Sequence, residues 1–302
     1  MKIPHLRGCY DQVGGLVYFG RMVDKIRLHD AGRLPADYHE PLGQGFDGRT
    51  LRFLGIGYAE LQAEVRAGRS DEELFAWACR AGRTPSSEDL RVYNGFLGKL
   101  GWRDGRHAAL VQRLRDGGFP PDAVETHFDF IELDEGRPLR FAKRPASPVS
   151  VASPIRPPVE GLRSPYDQVG GLVHFGRMLD KIRLHARGKL PADYIQALGG
   201  AFYFDGRICT LLGVKFEDLA QEVKEQGGSD EALLEWAQAQ GRRPSAEEIE
   251  TLNGFLSKRG WRDETVERLH FRLREAKLPI DGAATHFDFI DLDEGRPPRF
   301  AD

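Results

Sequence analysis

Arg21, Lys25 and Arg27 cluster around Asp24 in residues 10–29, and the same set returns as Arg177, Lys181, Arg183 and Asp180 in residues 166–185. Two guanidinium groups and an ammonium on one element suit a carboxylate or phosphate, since guanidinium forks match such anions and the ammonium adds a point charge. The pattern points to a small anionic ligand. A second cluster, Thr126-His127-Phe128-Asp129-Phe130-Ile131, recurs with His286 and Asp288. Read as a strand, it sets His127 and Asp129 on one face, where the carboxylate orients the imidazole for proton transfer or pairs with a helix-borne arginine. Asp24, His127 and Asp129, with Asp180, His286 and Asp288, are therefore the candidate acid–base residues. Trp102-Arg103 before Asp104, matched by Trp261-Arg262 before Asp263, would add an aromatic wall and a further guanidinium, or else pack and cap a helix end.

These groups need elements to hold them. Residues 10–29 read as one long helix, in which Leu16, Phe19, Met22, Val23 and Ile26 form a wide apolar face and Val13, Val17 and Leu28 a second strip. Ser164, Pro165 and Asp167 fit the Ncap, N1 and N3 positions of its second copy. Gly14, Gly15, Gly170 and Gly171 cost about 1 kcal/mol each inside a helix, so they mark close approach of another backbone or of the ligand. Charges held between two apolar strips cost several kcal/mol per ion unless partnered. Either an internal network joins Arg21 and Arg27 to Asp37, Asp47, Asp104, Asp129 or Asp134, or a guest satisfies them. Asp24, three residues from each arginine, can neutralise one of them.

Ser70 with Glu73, and Ser86 with Asp89 matched by Ser245 with Glu248, are capping boxes; the first helix stops near Gly82 and the second runs towards Trp102. Residues 58–66 and 107–115 are further helices, Phe46-Asp47-Gly48-Arg49 is a turn signal, and residues 126–133 alternate as a strand would. Asn94, Asp37-Tyr38 and Asp47 are weaker site candidates, of types common in turns and caps. The fold class is mainly α, two tandem homologous helical domains that each accommodate a short strand pair. The expected boundaries are 1–142 for the first repeat, 143–165 for a proline-rich linker and 166–302 for the second repeat. Such a linker favours an extended spacer and allows the repeats to pack as an intramolecular pseudo-dimer.

Identity between the copies is uneven. It covers 18 of 20 positions in residues 10–29 and 12 of 13 in residues 126–138, but 6 of 21 in residues 105–125. The first two segments are thus expected to build a pocket in each repeat that binds, and in a stronger form turns over, a small anionic metabolite. Two alternatives stay open. In a non-catalytic interaction module the helix charges are locks and the divergent face meets a protein, leaving no hollow beside Arg21 or Arg177. In a metal-dependent enzyme, His29, His127 and Asp129 form a facial triad.

A net charge of −3 argues against a nucleic-acid partner. The absence of any apolar run approaching about 18 residues argues against a membrane, and the lack of an apolar secretory core near the start makes the cytoplasm the expected address. Cys9, Cys79 and Cys209 are too few and scattered for a disulfide framework. No phosphate loop, dinucleotide fingerprint, nucleophile elbow or HExxH motif occurs, so no cofactor is identified.

Tyr166-Asp-Gln-Val-Gly-Gly-Leu172, the run from Gly176 through Arg177, Met178, Leu179, Asp180 and Lys181 to His185, and Gly260-Trp-Arg-Asp263 resemble a bacterial family catalogued as domain of unknown function 5069. Both copies match over nearly their full length, and the glycine pair is that family's signature. The resemblance implies a small bacterial cytosolic domain and supplies no activity. Its tandem form implies that the unit works as a pair.

Overall fold

The computed structural model describes residues 3–141, 158–297 and 299–300. It divides into two compact units, Met1–Lys143 and Arg144–Asp302. Of the expected proline-rich linker, residues 143–157 lie outside the described residues.

In the first unit a two-stranded antiparallel hairpin, β1 (Gln12–Val13) and β2 (Leu16–Val17), leads into α1 (Phe19–Asp30). A 3-10 turn at Ala36–Tyr38 precedes α2 (Gly45–Leu54), α3 (Tyr58–Arg66), α4 (Asp71–Ala81), α5 (Ser87–Leu97), α6 (His107–Asp116) and α7 (His127–Asp134). The second unit repeats this as β3 (Gln168–Val169), β4 (Leu172–Val173), α8 (Phe175–Ala186), a short α9 (Ala192–Ile195), α10 (Phe204–Leu212), α11 (Phe216–Glu225), α12 (Asp230–Gln240), α13 (Ala246–Ser257), α14 (Val266–Glu275) and α15 (His286–Asp293). The protein is mainly helical, with one short strand pair in each repeat. No described helix is long and apolar enough to cross a membrane.

α1 is the hub. Phe19, Met22, Val23 and Ile26 are fully buried among Leu51, Leu54, Leu61, Leu74, Phe96 and Phe128, side chains contributed by α2, α3, α4, α5 and α7. The capping boxes at Ser70, Ser86 and Ser245 are present, and α4 stops at Gly82. α5 ends at Leu97, short of Trp102, because a run of turns carries the chain over to α6.

Three expectations need correcting. Residues 10–29 are not one helix, because Gly14 and Gly15 adopt φ of 58° and 80° and form the two-residue turn of the β1–β2 hairpin. A Cβ on Gly14 would stand 2.1 Å from the Phe75 ring, so packing as well as φ requires glycine there. In the second copy, Ser164 sits in a turn, accepting from the Tyr166 amide and donating to Asp291, and α8 begins only at Phe175.

Residues 126–133 are not a strand. Thr126 caps α7 by accepting from the Asp129 amide at 3.1 Å, and Thr285 with Asp288 forms the full capping box in the second repeat. The polar and aromatic alternation is a cap followed by a short helix buried on two sides: Phe128 enters the main core, while Phe130 packs with Leu110, Leu114 and Val124. Phe46 to Arg49, finally, lie within α2, whose apolar residues pull the turn-prone Asp47-Gly48 pair into helix.

Candidate functional site

The cations of α1 are matched by the protein's own acids. Arg21, 2% exposed, makes a two-pronged ion pair with Glu135, and its Nη1 also donates to the Arg7 carbonyl at 2.7 Å. Glu135 further accepts from Tyr38 Oη at 2.8 Å and Arg137 Nε at 2.9 Å. Lys25 Nζ meets Asp47 Oδ1 at 2.5 Å, Arg27 reaches Asp71 at 2.7 Å, and Asp24 is gripped by Arg7 through two 2.7 Å bonds. The second repeat reproduces every pair: Arg177 with Glu294, Lys181 with Asp205, Arg183 with Asp230, and Asp180 with Arg163.

The internal network is therefore real, but of the five expected acids only Asp47 serves in it, and its partner is Lys25. Asp24 stands 3.8 Å from Arg27 and is held chiefly by Arg7. Burial pushes Glu135 up, yet Arg21 outweighs it and the carboxyl ends below its ordinary range. Burial likewise pushes Lys25 and Lys181 down against the pull of their aspartates.

Beside this network lies a hollow, and each repeat has one. In the first, of about 440 Å³, Arg21 and Lys25 of α1, Tyr38, Phe46 and Arg49 of α2, Arg106 and Arg113 at α6, and His127, Ile131 and Asp134 of α7 form the wall. In the second, of about 270 Å³, the equivalents are Arg177, Lys181, Tyr194, Phe204, Arg207, Arg272, His286, Ile290 and Asp293. Arg259 and Arg268 replace Leu100 and Ala109, and Thr265 replaces Arg106.

Among the residues of the walls themselves, cations outnumber carboxylates in both. Five cations (Arg21, Lys25, Arg49, Arg106 and Arg113) meet four carboxylates, Asp37 and Asp134 on the wall and Asp47 and Glu135 behind it. In the second, Arg177, Lys181, Arg207, Arg259, Arg268 and Arg272 share the wall with Asp193, Asp205, Asp293 and Glu294, while Asp263 and Glu264 pair with Arg259, and Glu275 with Arg272, from outside it. Among the described residues, Arg113 and Arg268 have no ion-pair partner. Arg113 lies over the Phe130 ring at 4.4 Å, and Arg268 is 5.7 Å from the Tyr203 ring.

His127 lies on this wall, but Asp129 does not orient it. Two positions on a helix point about 200° apart. Asp129 accepts from Tyr10 Oη at 2.7 Å, as Asp288 does from Tyr166 at 2.6 Å. His127 Nε2 is 3.2 Å from the Arg106 carbonyl and Nδ1 is 3.4 Å from Arg113 Nη1, so its neutral form donates from Nε2 and accepts at Nδ1. Burial, then Arg113, pushes its pKa down, and burial pushes that of His286 to about 4.

His174, which replaces Tyr18, also lines the second hollow. Its Nε2 is 2.8 Å from Asp205, its Nδ1 is buried without a partner, and burial lowers its pKa to about 4. Lys181, sharing Asp205, adds to that depression, while Asp205 itself is held well below the carboxylate range: burial pushes it up, but Lys181 and His174 outweigh this.

The remaining expected residues sit elsewhere. Gly14, Gly15, Gly170 and Gly171 are hairpin turns, clamped by Asn94, which donates to the Gly15 carbonyl and accepts from the Val17 amide, and equivalently by Asn253. His29 meets His39 edge-on at 4.9 Å in the last turn of α1, away from the hollow, so the triad with His127 and Asp129 does not assemble. No group of three metal-binding side chains occurs among the described residues. Trp102 is buried with the Arg103 guanidinium 4.6 Å above its ring, and Trp261 and Arg262 repeat the stack at 4.4 Å, outside the hollows. Asp104 accepts from the backbone of Gly101 and Arg106 and shapes the entry to α6.

Sequence reasoning missed Arg7, Asp71, Glu135, Arg49 and Arg113. Glu135 sat in view inside the identical Asp134-Glu135-Gly136-Arg137-Pro138 run, where its turn composition hid an ion-pair role. Arg113 carried a usable signal, being one of six positions unchanged across the otherwise divergent residues 105–125.

The model of the family described as Domain of unknown function (DUF5069) matches this chain twice, over residues 3–137 and 159–296. No curated protein and no solved structure matches it.

Proposed function

Because the chain belongs to the DUF5069 family in two copies, its activity has to be sought in its own side chains, and we propose that each repeat binds a small anionic metabolite in the hollow bounded by α1, α2, α6 and α7 or their second-repeat equivalents. The observation that supports this reading is the excess of cations over carboxylates on both walls, where Arg113 and Arg268 form no ion pair among the described residues. In this reading Arg21 and Lys25, with Arg177 and Lys181, are walls fixed by Glu135, Asp47, Glu294 and Asp205, and the ligand's carboxylate or phosphate is met from α6 or α14. Guanidinium groups at a partly desolvated rim bind such groups by charge-assisted hydrogen bonds. His127 and His286, neutral at pH 7, offer hydrogen bonds rather than charge. The reading takes the protein as cytosolic, where small carboxylates and phosphates abound.

The test is thermal denaturation of the full chain against a panel of inorganic phosphate, phosphate monoesters, and mono- and dicarboxylates. A ligand at 100 times its Kd stabilises by about 2.7 kcal/mol, and the shift should be lost in the Arg113→Ala/Arg268→Ala double variant. Silence across the panel, or shifts that the double variant keeps in full, would refute it.

A further inference from the structure

The two hollows differ where the sequence differs most locally. Between Gly200 and Phe204 the second repeat carries a two-residue insertion relative to the first, and this places Phe202 and Tyr203 on the wall of its hollow. Phe202 is 79% exposed and Tyr203 39%. The loop is built rather than slack: Arg207, 7% exposed, donates from Nη1 to the Phe202 carbonyl at 2.6 Å, and the Tyr203 amide donates to the Gly200 carbonyl at 2.9 Å. Gly206 packs beneath it so tightly that a Cβ would lie 2.5 Å from Ala201 Cα. Keeping a phenyl ring this exposed forgoes the gain of burying it. Arg268, where the first repeat has Ala109, lies 5.7 Å from the Tyr203 ring, and Arg272, over the Phe289 ring, lines the same hollow. Nothing comparable lines the first hollow, whose corresponding wall is Gln44 and Gly45.

Resting on the anion-binding reading above, we infer that the second repeat selects an anion attached to an aromatic ring, stacking the ring on Phe202 and Tyr203 while Arg268 and Arg272 take the charged group; the first repeat, lacking the aromatic lip, takes compact anions. Aromatic pairs prefer offset or edge-on contact at centroid separations of about 4.5–7 Å.

Isothermal titration of the full chain carrying Arg113→Ala, which silences the first hollow, tests this with phenyl phosphate, benzoate and inorganic phosphate as probes. Phenyl phosphate should bind roughly tenfold tighter than inorganic phosphate, and Phe202→Ala should shrink that ratio by about three- to tenfold. Benzoate binding in place of phenyl phosphate would identify a carboxylate as the anionic group, within the same inference. Circular dichroism checks that Phe202→Ala, a change at an exposed position, leaves the fold intact. Equal affinities for phenyl phosphate and inorganic phosphate, or an unchanged ratio in Phe202→Ala, would overturn the aromatic preference and leave the anion site standing. Silence to all three probes would overturn both.

Discussion

The second repeat should lose stability in mild acid, and His174 should account for about half of that loss. His174 and His286 are folded with pKa values near 4, against an ordinary imidazole value of 6.5. Between those values the unfolded chain binds a proton at each ring and the folded chain does not, so stability is fully present above pH 6.5 and falls as pH drops towards 4. At about 1.4 kcal/mol per pH unit, the full window is worth roughly 3 kcal/mol per histidine. Asp205, Lys181 and Arg177 face His174, and the Asp205 carboxyl is held far below the window. The perturbation is His174→Tyr, which installs the residue of the first repeat, where Tyr18 Oη accepts from Lys25 at 3.2 Å. A phenol stays neutral from pH 4 to 7.5, so the variant should unfold with one proton fewer taken up. The assay is urea unfolding from pH 7.5 to 4.5 followed by hydrogen-exchange mass spectrometry, in which α8 peptides report the second repeat and α1 peptides the first. Acidification should cost the wild-type second repeat roughly 2–3 kcal/mol more than the variant. An identical pH slope in the two proteins would refute the buried, neutral state of His174.

Glu135→Gln removes the one carboxylate paired with the 2% exposed Arg21 guanidinium among the described residues and should destabilise the first repeat by about 3–5 kcal/mol, with the second repeat, where Glu294 is intact, unmoved; calorimetry showing a single unshifted transition would contradict this. Gly14→Ala should destabilise more than Gly15→Ala, although both sites have positive φ, because the new Cβ would stand 2.1 Å from Phe75 in the first case and 3.3 Å from Leu90 in the second. Equal midpoints in chemical denaturation would show that φ alone sets the cost.

How far the sequence reveals this architecture depends on the range of the physics involved. Helices opened by a local cap, such as Ser70 with Glu73 or Ser86 with Asp89, were readable because the signal spans four residues. The β1–β2 hairpin was misread because Val13, Leu16 and Val17 fit a helical stripe continuous with α1, and only the two glycines spoke against it. Thr126 to Asp129 was misread for the converse reason: a helix of eight residues buried on two sides shows no polar face, so its cap looks like strand alternation. The partners of α1 lie 44 residues away for Arg27 and 114 for Arg21. No local pattern encodes such pairings, and the duplication showed only that both ends stay the same.

That sameness has a physical cause which reverses its first interpretation. Arg21, Asp24, Lys25 and Arg27 are each bonded to a buried or half-buried acid or base. A single substitution at any of them strands its partner's charge, at about 3–5 kcal/mol for a buried pair. Two copies drifting one substitution at a time cannot cross that barrier, so the locks remain identical whether or not a ligand ever touches them. Several wall positions outside these α1 pairs differ between the copies, Tyr18 to His174, Leu100 to Arg259, Ala109 to Arg268 and the inserted Phe202, whereas Arg113 returns unchanged as Arg272. Within this duplicated chain, then, the identical locks build the hollow, the shared Arg113 and Arg272 face it in both repeats, and the differing wall residues set its further preference, so substitutions that exchange those differing residues between repeats should move ligand preference while leaving both folds standing.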